Sequence, residues 1–186
     1  MAMSTTSHRL RSLLLVIALA FGAAAHAQVP EASPAALDGI DAYTAMDLAN
    51  AWKGQAVTTF VTPQAVHFVF PDEHEVIVSL PADVMVVSVA PFLNHTHPCL
   101  THYMSSCQGE LVAVPFAVRA VLADGTVVID EVLPSMANGF IDLWLPRGEA
   151  VEVSFEIDGY RTVGVLSTHR DSPTCVTTLQ LSPVGG

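Results

Sequence analysis

The chain has 186 residues, 51% of them hydrophobic, with 7 basic and 18 acidic side chains and a formal net charge of −11. Binding to nucleic acid or to anionic lipid requires basic residues that neutralise phosphates, so this charge argues against both kinds of partner. The same charge is also what an exported protein carries for solubility, and the hydrophobic content suffices for one good core or two small ones.

The first 27 residues have the pattern of a secretory signal peptide. Arg9 and Arg11 precede an apolar stretch over residues 13–22, which is too short to span a bilayer comfortably, and Ala25-His26-Ala27 forms a small-x-small cleavage site. We expect cleavage after Ala27 and export, most simply to a bacterial periplasm; the alternative is an uncleaved N-terminal membrane anchor. Cleavage removes two arginines and no acid, which leaves 5 basic and 18 acidic residues and a net charge of −13.

Hydrophobic periodicity predicts a helix followed by many short strands. After a proline-containing lead-in over 28–36, apolar residues at helical spacing predict a helix over about 35–53 that ends at Gly54. Runs of β-branched and aromatic residues, bounded by prolines and by turns such as Asp124-Gly125 and Asp158-Gly159, then predict strands. These runs are 57–61, 65–70, 75–80, 85–92, 111–122, 126–132, 139–145, 151–157, 160–166 and 175–181. The predicted fold class is mainly β, with antiparallel β-sandwich-like strands in both halves and a short N-terminal helical segment.

The same pattern predicts how the chain is divided. After the signal peptide at 1–27, residues 28–92 form a helix plus β-meander region that is a candidate for dimerisation. Residues 93–110 form a segment rich in cysteine and histidine, and residues 111–186 form a C-terminal β-sandwich-like region.

The strongest candidate for a functional site is the stretch HTHPCLTHYMSSCQGEL, residues 95–111. Between His95 and Cys107 it contains three of the eight histidines, two of the three cysteines and Met104. Thiolate, thioether and imidazole are the ligands that monovalent copper selects, with zinc next. If residues 99–107 are helical, Met104 and Cys107 share a face, as do Cys99 and His102. The third cysteine, Cys175, follows a polar loop at the start of the last predicted strand, where loops gather at a sandwich edge, so it could meet the first two.

Three cysteines in an oxidising compartment leave three interpretations open: a disulfide plus a free thiol, a three-thiol metal site, or a redox pair that changes partner. The spacing of Cys99 and Cys107 is wrong for a C-x-x-C redox motif or a zinc knuckle. A structural disulfide between them would stabilise the fold by roughly 2 to 3 kcal/mol. His169 is a weaker candidate ligand, and His67 and His74 are more typical of surface residues. The sequence has no nucleophile-elbow, P-loop, Rossmann or H-E-x-x-H pattern.

Four motifs together resemble the CueP family of periplasmic copper-resistance proteins over nearly all of the mature chain: HTHPC, CQGEL, an N-G-F-x-x-L-W-L-P-R-G segment at 138–148, and CVTTLQL at 175–181. The resemblance implies a copper-binding metallochaperone that takes up copper, reduces Cu(II) to Cu(I) through its thiols and delivers copper to a periplasmic copper, zinc superoxide dismutase. It also implies a homodimer built through the N-terminal region. By motif, Cys107 and Cys175 are the thiols expected to carry redox work, with Cys99 close by; His97 and His102 match by position only.

We therefore predict a copper-binding protein with possible thiol-dependent Cu(II) reductase activity. Cys107 and Cys175 are its redox ligands, helped by Cys99, His97 and His102. Two thiolates can each give one electron to a cupric ion and end as a disulfide, which a thioredoxin-like disulfide reductase or isomerase would then have to reduce. Two alternatives are a redox-silent copper or zinc buffer that uses the same residues, and a structural β-sandwich module held by a Cys99–Cys107 disulfide with Cys175 as a buried spare.

Overall fold

The computed structural model describes residues 29–185, so the predicted signal peptide lies outside the described part of the chain. The prediction of a mainly β fold with a short N-terminal helix is confirmed. A 3-10 turn, Pro34–Leu37, and one α-helix, α1 (Ala42–Ala51), precede the strands. The strands are β1 (Thr58–Val61), β2 (Ala65–Val69), β3 (Glu75–Ser79), β4 (Val84–Val89), β5 (Pro115–Leu122), β6 (Val127–Pro134), β7 (Ile141–Pro146), β8 (Ala150–Ile157), β9 (Tyr160–Ser167), β10 (Cys175–Val176) and β11 (Ser182–Pro183).

The helix is shorter than the sequence pattern predicts. Gly39 has a φ of 69° and separates the 3-10 turn from α1. The side chain of Asp41 then accepts a hydrogen bond from the backbone N–H of Thr44 at 2.8 Å, which caps the new helix start. Among the described residues, no helix is both long enough and apolar enough to cross a membrane.

The strands form three sheets. The first is a three-stranded antiparallel sheet in the order β1-β2-β3, and the largest has five strands in the order β11-β9-β8-β5-β6. Between them lies a middle sheet in the order β10-β4-β7, in which β4 is antiparallel to β7 but parallel to β10. The predicted last strand, 175–181, is therefore reduced to a two-residue strand at one edge of the middle sheet.

The middle sheet has a hydrophobic core on each side, because successive side chains of a strand point to opposite faces. Along β4, Val86 packs with Trp52 and Phe68 in the first core, which α1 and the β1-β2-β3 sheet cover. Met85 and its neighbours at alternate positions pack with Phe155 in the second core, against the five-stranded sheet. Burial of each large apolar side chain contributes about 1.5 to 3 kcal/mol, so both cores hold the middle sheet in place.

The predicted division of the chain at residues 92 and 110 stays a prediction. Strand β4 lies in the predicted N-terminal region, whereas its partners β7 and β10 lie in the predicted C-terminal region. The segment rich in cysteine and histidine leaves the end of β4 and passes the edge strand β10.

Candidate metal centre

Strand β10 brings the end of the chain beside the HTHPC segment. The hydroxyl of Thr96 donates to the carbonyl of Thr177, and the hydroxyl of Thr177 donates to the carbonyl of His97, both at 2.6 Å. The carbonyl of Leu100 accepts the backbone N–H of Cys175 at 3.1 Å. These bonds join two segments that are about eighty residues apart in the sequence, and they place the third cysteine next to the first.

All three cysteines converge. Cys99 and Cys175 form a disulfide with their Cα atoms 5.6 Å apart, and Cys107 is a free, partly buried cysteine. The Sγ of Cys107 lies 3.6 Å from that of Cys99. The structure therefore differs from the Cys99–Cys107 disulfide that the structural alternative required, because the edge strand carries Cys175 onto Cys99. The disulfide also leaves out Cys107, one of the two thiols that the family resemblance implies for redox work.

Two sets of donor atoms overlap at Cys107. One set is His97, Cys99 and Cys107, and the other is His102, Cys107 and Cys175; within each set the ligand atoms lie within 4.8 Å of one another. In a tetrahedral site with metal–sulfur bonds of about 2.3 Å, neighbouring sulfur ligands lie about 3.8 Å apart. Each set therefore brings three donor atoms close together, and Cys107 belongs to both sets.

His102 is the most unusual polar residue of the cluster. It is fully buried, its Nδ1 lies 3.9 Å from the Sγ of Cys175, and its Nε2 has no hydrogen-bond partner within residues 29–185. Burial, together with the charges of Lys53 and His97, lowers the pKa of His102 from 6.5 to about 3. The ring is therefore neutral at physiological pH, which is the form that binds metal. Its centroid lies 4.3 Å from that of Phe140, which closes one side of the site.

The other histidines lie outside the two donor sets. His95 is largely exposed, with its Nδ1 3.4 Å from the carboxylate of Glu110. His67 pairs with Glu75 at 2.8 Å on the first sheet, and His169 lies in a separate surface groove beside Arg170. His95 lies in the same segment as the predicted ligands but was not one of them, and the structure does not bring it to the cysteines.

Comparison with known proteins identifies the family. A family model described as periplasmic copper-binding protein CueP matches residues 41–180, which include all five candidate ligands. The chain belongs to the CueP family. A solved structure, the crystal structure of S.CueP, is similar with a TM-score of 0.73 and 29% identity, over 80% of this chain and 92% of that one. Among the curated proteins, none matches this chain. CueP is a periplasmic copper-binding family, so the cluster of soft ligands agrees with the family assignment.

In this CueP family member, the methionine that accompanies the cysteines is not the one that lies between them in the sequence. Met104 is fully buried in the first core, where the segment that carries it runs antiparallel beside the end of β1 through a bridge between His102 and Val61. Met136, from the loop before β7, packs with Cys99 and Cys107 against the buried cluster of Ala90, Phe140 and Cys175. The sequence pattern does not single out Met136 as a candidate ligand, although it lies two residues before the N-G-F motif.

A lysine at the end of α1 also contacts the site, and the sequence analysis did not identify it. The Nζ of Lys53 donates to the carbonyl of Cys107 at 2.6 Å and to the Oε1 of Gln108 at 2.8 Å. Burial lowers the pKa of Lys53, and the nearby Cys107 thiol acts in the opposite direction. Lys53 thus fixes the backbone on which the free thiol is carried and places a positive charge close to it.

The two loops that carry Cys107 and Met136 are in direct backbone contact. The backbone N–H of Gly109 donates to the carbonyl of Asn138 at 2.7 Å. A Cβ added at Gly109 would lie 2.5 Å from the carbonyl oxygen of Gly139, so only glycine permits this approach without displacement of the backbone. The contact keeps both loops at a fixed distance across the cysteine cluster.

Proposed function

We propose that this CueP family member binds copper through Cys99, Cys107, Cys175, His97 and His102 and reduces Cu(II) to Cu(I) with its thiols. One observation carries the proposal: three sulfur atoms from segments remote in the sequence converge beside two imidazoles, one of them buried with an unpaired nitrogen. Imidazole accepts either copper ion, whereas thiolate prefers Cu(I), so this ligand set favours the reduced product over the oxidised substrate.

The electron donors in this proposal are Cys107 and Cys175, whose sulfur atoms lie within 4.8 Å of each other. Each thiolate gives one electron to one Cu(II), and the two sulfurs join, so that two Cu(II) and two thiolates become two Cu(I) and one disulfide. The thiolate of Cys99 then attacks the Sγ of Cys175 and releases the thiolate of Cys107 without any change in the number of electrons. The product of this exchange has the Cys99–Cys175 disulfide of the structure.

Completion of a catalytic cycle requires a partner that reduces the disulfide. In a periplasm, the fitting class is a thioredoxin-like disulfide reductase or isomerase, which would attack the disulfide through its own thiolate. We propose a periplasmic copper, zinc superoxide dismutase as the recipient of the copper, and a homodimer built through the N-terminal region as the working form. Both proposals rest on membership of the CueP family.

The reductase proposal is tested by mixing fully reduced, metal-free protein with Cu(II) and a chelator specific for Cu(I). We expect two Cu(I) for each disulfide formed. Reduction is expected to be diminished in Cys107→Ser and in Cys175→Ser and absent from the double variant. His169→Asn is the matched control, because His169 lies outside both donor sets and should leave reduction unchanged. Undiminished reduction in both single variants would contradict the redox role of these thiols.

A redox-silent buffer is the second candidate function, because cysteine and histidine are also the ligands of structural zinc. The same mixture distinguishes the two functions. Stoichiometric binding of Cu(II) or Zn(II) by the reduced protein, with no Cu(I) released to the chelator and all three thiols recovered, would favour the buffer.

A further inference from the structure

We propose that Met136 is a further copper ligand, a thioether that binds Cu(I) when Cys99 and Cys175 are joined in their disulfide. The inference rests on the proposed copper site and adds a residue to it. In this proposal Met136 binds the metal only as Cu(I) and only while the Cys99–Cys175 disulfide is formed.

The position of Met136 is set by its own loop. Its backbone N–H donates to the carbonyl of Phe140, and its carbonyl accepts the N–H of Gly139, both at 2.8 Å. The side chain packs against the cluster of Ala90, Phe140 and Cys175, against which Cys99 and Cys107 also pack, and it is only partly buried. Because methionine has three rotatable bonds, a partly exposed thioether can move toward an ion without movement of the backbone.

The redox state of the cysteines explains why a thioether is needed. In the disulfide form, the sulfurs of Cys99 and Cys175 are no longer thiolates, so Cys107 is the one remaining thiol among the described residues. A Cu(I) ion produced by oxidation of the thiols would then have a single soft ligand beside the imidazoles. A thioether is soft, is not consumed by disulfide formation and needs no deprotonation. Met136 therefore supplies the second sulfur ligand at the stage at which the thiols have been spent.

The other methionines of the described chain do not compete for this role. Met46 and Met104 are buried in the first core and Met85 in the second, where each contacts apolar side chains. Met136 packs instead against the small cluster of Ala90, Phe140 and Cys175, against which Cys99 and Cys107 also pack. This difference provides a matched control, because Met136→Leu and Met104→Leu make the same chemical change at one site near the thiols and at one site in a core.

The proposal also predicts selectivity between metals. Zinc in proteins is held by cysteine, histidine and carboxylate ligands, whereas thioethers bind Cu(I). Loss of the thioether should therefore weaken Cu(I) binding and leave the affinity for Zn(II) unchanged.

The test uses the full mature chain with its Cys99–Cys175 disulfide formed, under anaerobic conditions. Competition with a Cu(I)-specific chelator should show that Met136→Leu binds Cu(I) about 10- to 100-fold more weakly than wild type, the range typical for disturbance of a metal site. Met104→Leu should bind as wild type, and Zn(II) affinity should be equal in all three proteins. In selenomethionine-labelled protein, selenium X-ray absorption should detect a copper neighbour in wild type and in Met104→Leu but not in Met136→Leu.

Failure of this proposal can be told apart from failure of the copper site. If Met136→Leu binds Cu(I) as wild type and selenium has no copper neighbour, while Cys107→Ser still loses Cu(I), then Met136 is not a ligand and the proposed site stands. If oxidised and reduced wild type both fail to bind Cu(I), the proposed site and the role of Met136 are both overturned.

Discussion

Two groups of polar side chains lie against the middle sheet, and they differ in how completely they are paired. In the first, which we call the asparagine network, Asp142 accepts hydrogen bonds from Ser88 at 2.5 Å and from Asn50 at 3.0 Å, and Asn50 accepts one from Asn138 at 3.0 Å. In the second, the proposed metal centre, the Nε2 of His102 is the one buried side-chain nitrogen or oxygen within residues 29–185 that has no partner.

The difference distinguishes a group of polar residues that supports the fold from the group that we propose binds a metal. An unpaired buried polar atom costs about 1 to 3 kcal/mol, so a network that only supports the fold pairs its members, as the asparagine network does. The metal centre leaves a nitrogen unpaired and several sulfurs within reach of one another, which is the arrangement that a soft ion can complete. The two groups meet at Asn138, whose Oδ1 accepts the N–H of Phe140, the residue that closes one side of the metal centre.

The largest expected effect concerns the disulfide, which belongs to the metal centre but stabilises the whole fold. It joins residues that are 76 positions apart, and the chain-entropy model gives roughly 4.5 kcal/mol for a loop of this length. Urea denaturation of the Cys107→Ser variant should show this loss of unfolding free energy when the disulfide is reduced. The variant is used because it prevents exchange with the third thiol. Equal denaturation midpoints for the oxidised and reduced forms would contradict the prediction.

The next largest effect concerns the asparagine network. Asp142→Ala should lower the unfolding free energy by about 2 to 3 kcal/mol, because the buried hydroxyl of Ser88 loses its acceptor and the amide of Asn50 keeps only the carbonyl of Met46. Asp130→Ala is the control; this exposed carboxylate pairs with Arg119 on the outer face of the five-stranded sheet, and its loss should cost less than about 1 kcal/mol. Cu(I) affinity should be unchanged in both variants. A Cu(I) affinity that falls in Asp142→Ala without a fall in stability would mean that the network is part of the metal centre.

The smallest of the three effects is a pH dependence that arises in the metal centre. The pKa of His102 is about 3 in the folded protein and 6.5 in the unfolded chain, so the unfolded state binds more protons between these values. Stability is therefore full above pH 6.5 and decreases as the pH falls toward 3. Between pH 8 and pH 5 the metal-free protein should lose about 2 kcal/mol of unfolding free energy through this residue.

The control for this pH effect is His102→Gln, which has no titrating group at this position. The variant is expected to be less stable at pH 8 and to lack the additional decrease toward pH 5. If wild type and variant lose the same unfolding free energy between the two pH values, the dependence arises elsewhere.

The sequence by itself determined the mainly β fold, the short helix and the segment that supplies most of the candidate ligands. Periodicity located β1 to β9 to within a few residues, because the alternation of apolar side chains depends on near neighbours in the chain. The four motifs also predicted the family that the comparison confirms. The predicted helix was too long. The helical spacing of apolar residues continues across Gly39, but the backbone leaves the helical conformation there.

Only the tertiary structure decided which side chains meet. The sequence left the pairing of the cysteines open and pointed to Met104 as the accompanying thioether. The structure pairs Cys99 with Cys175 and packs Met136 against the cluster that contains Cys175. The physical reason is that strand β10 is two residues long and has almost no periodicity of its own. Its parallel pairing with β4 depends on hydrogen bonds to segments about eighty residues away, and contacts at that separation are set by how the sheets pack.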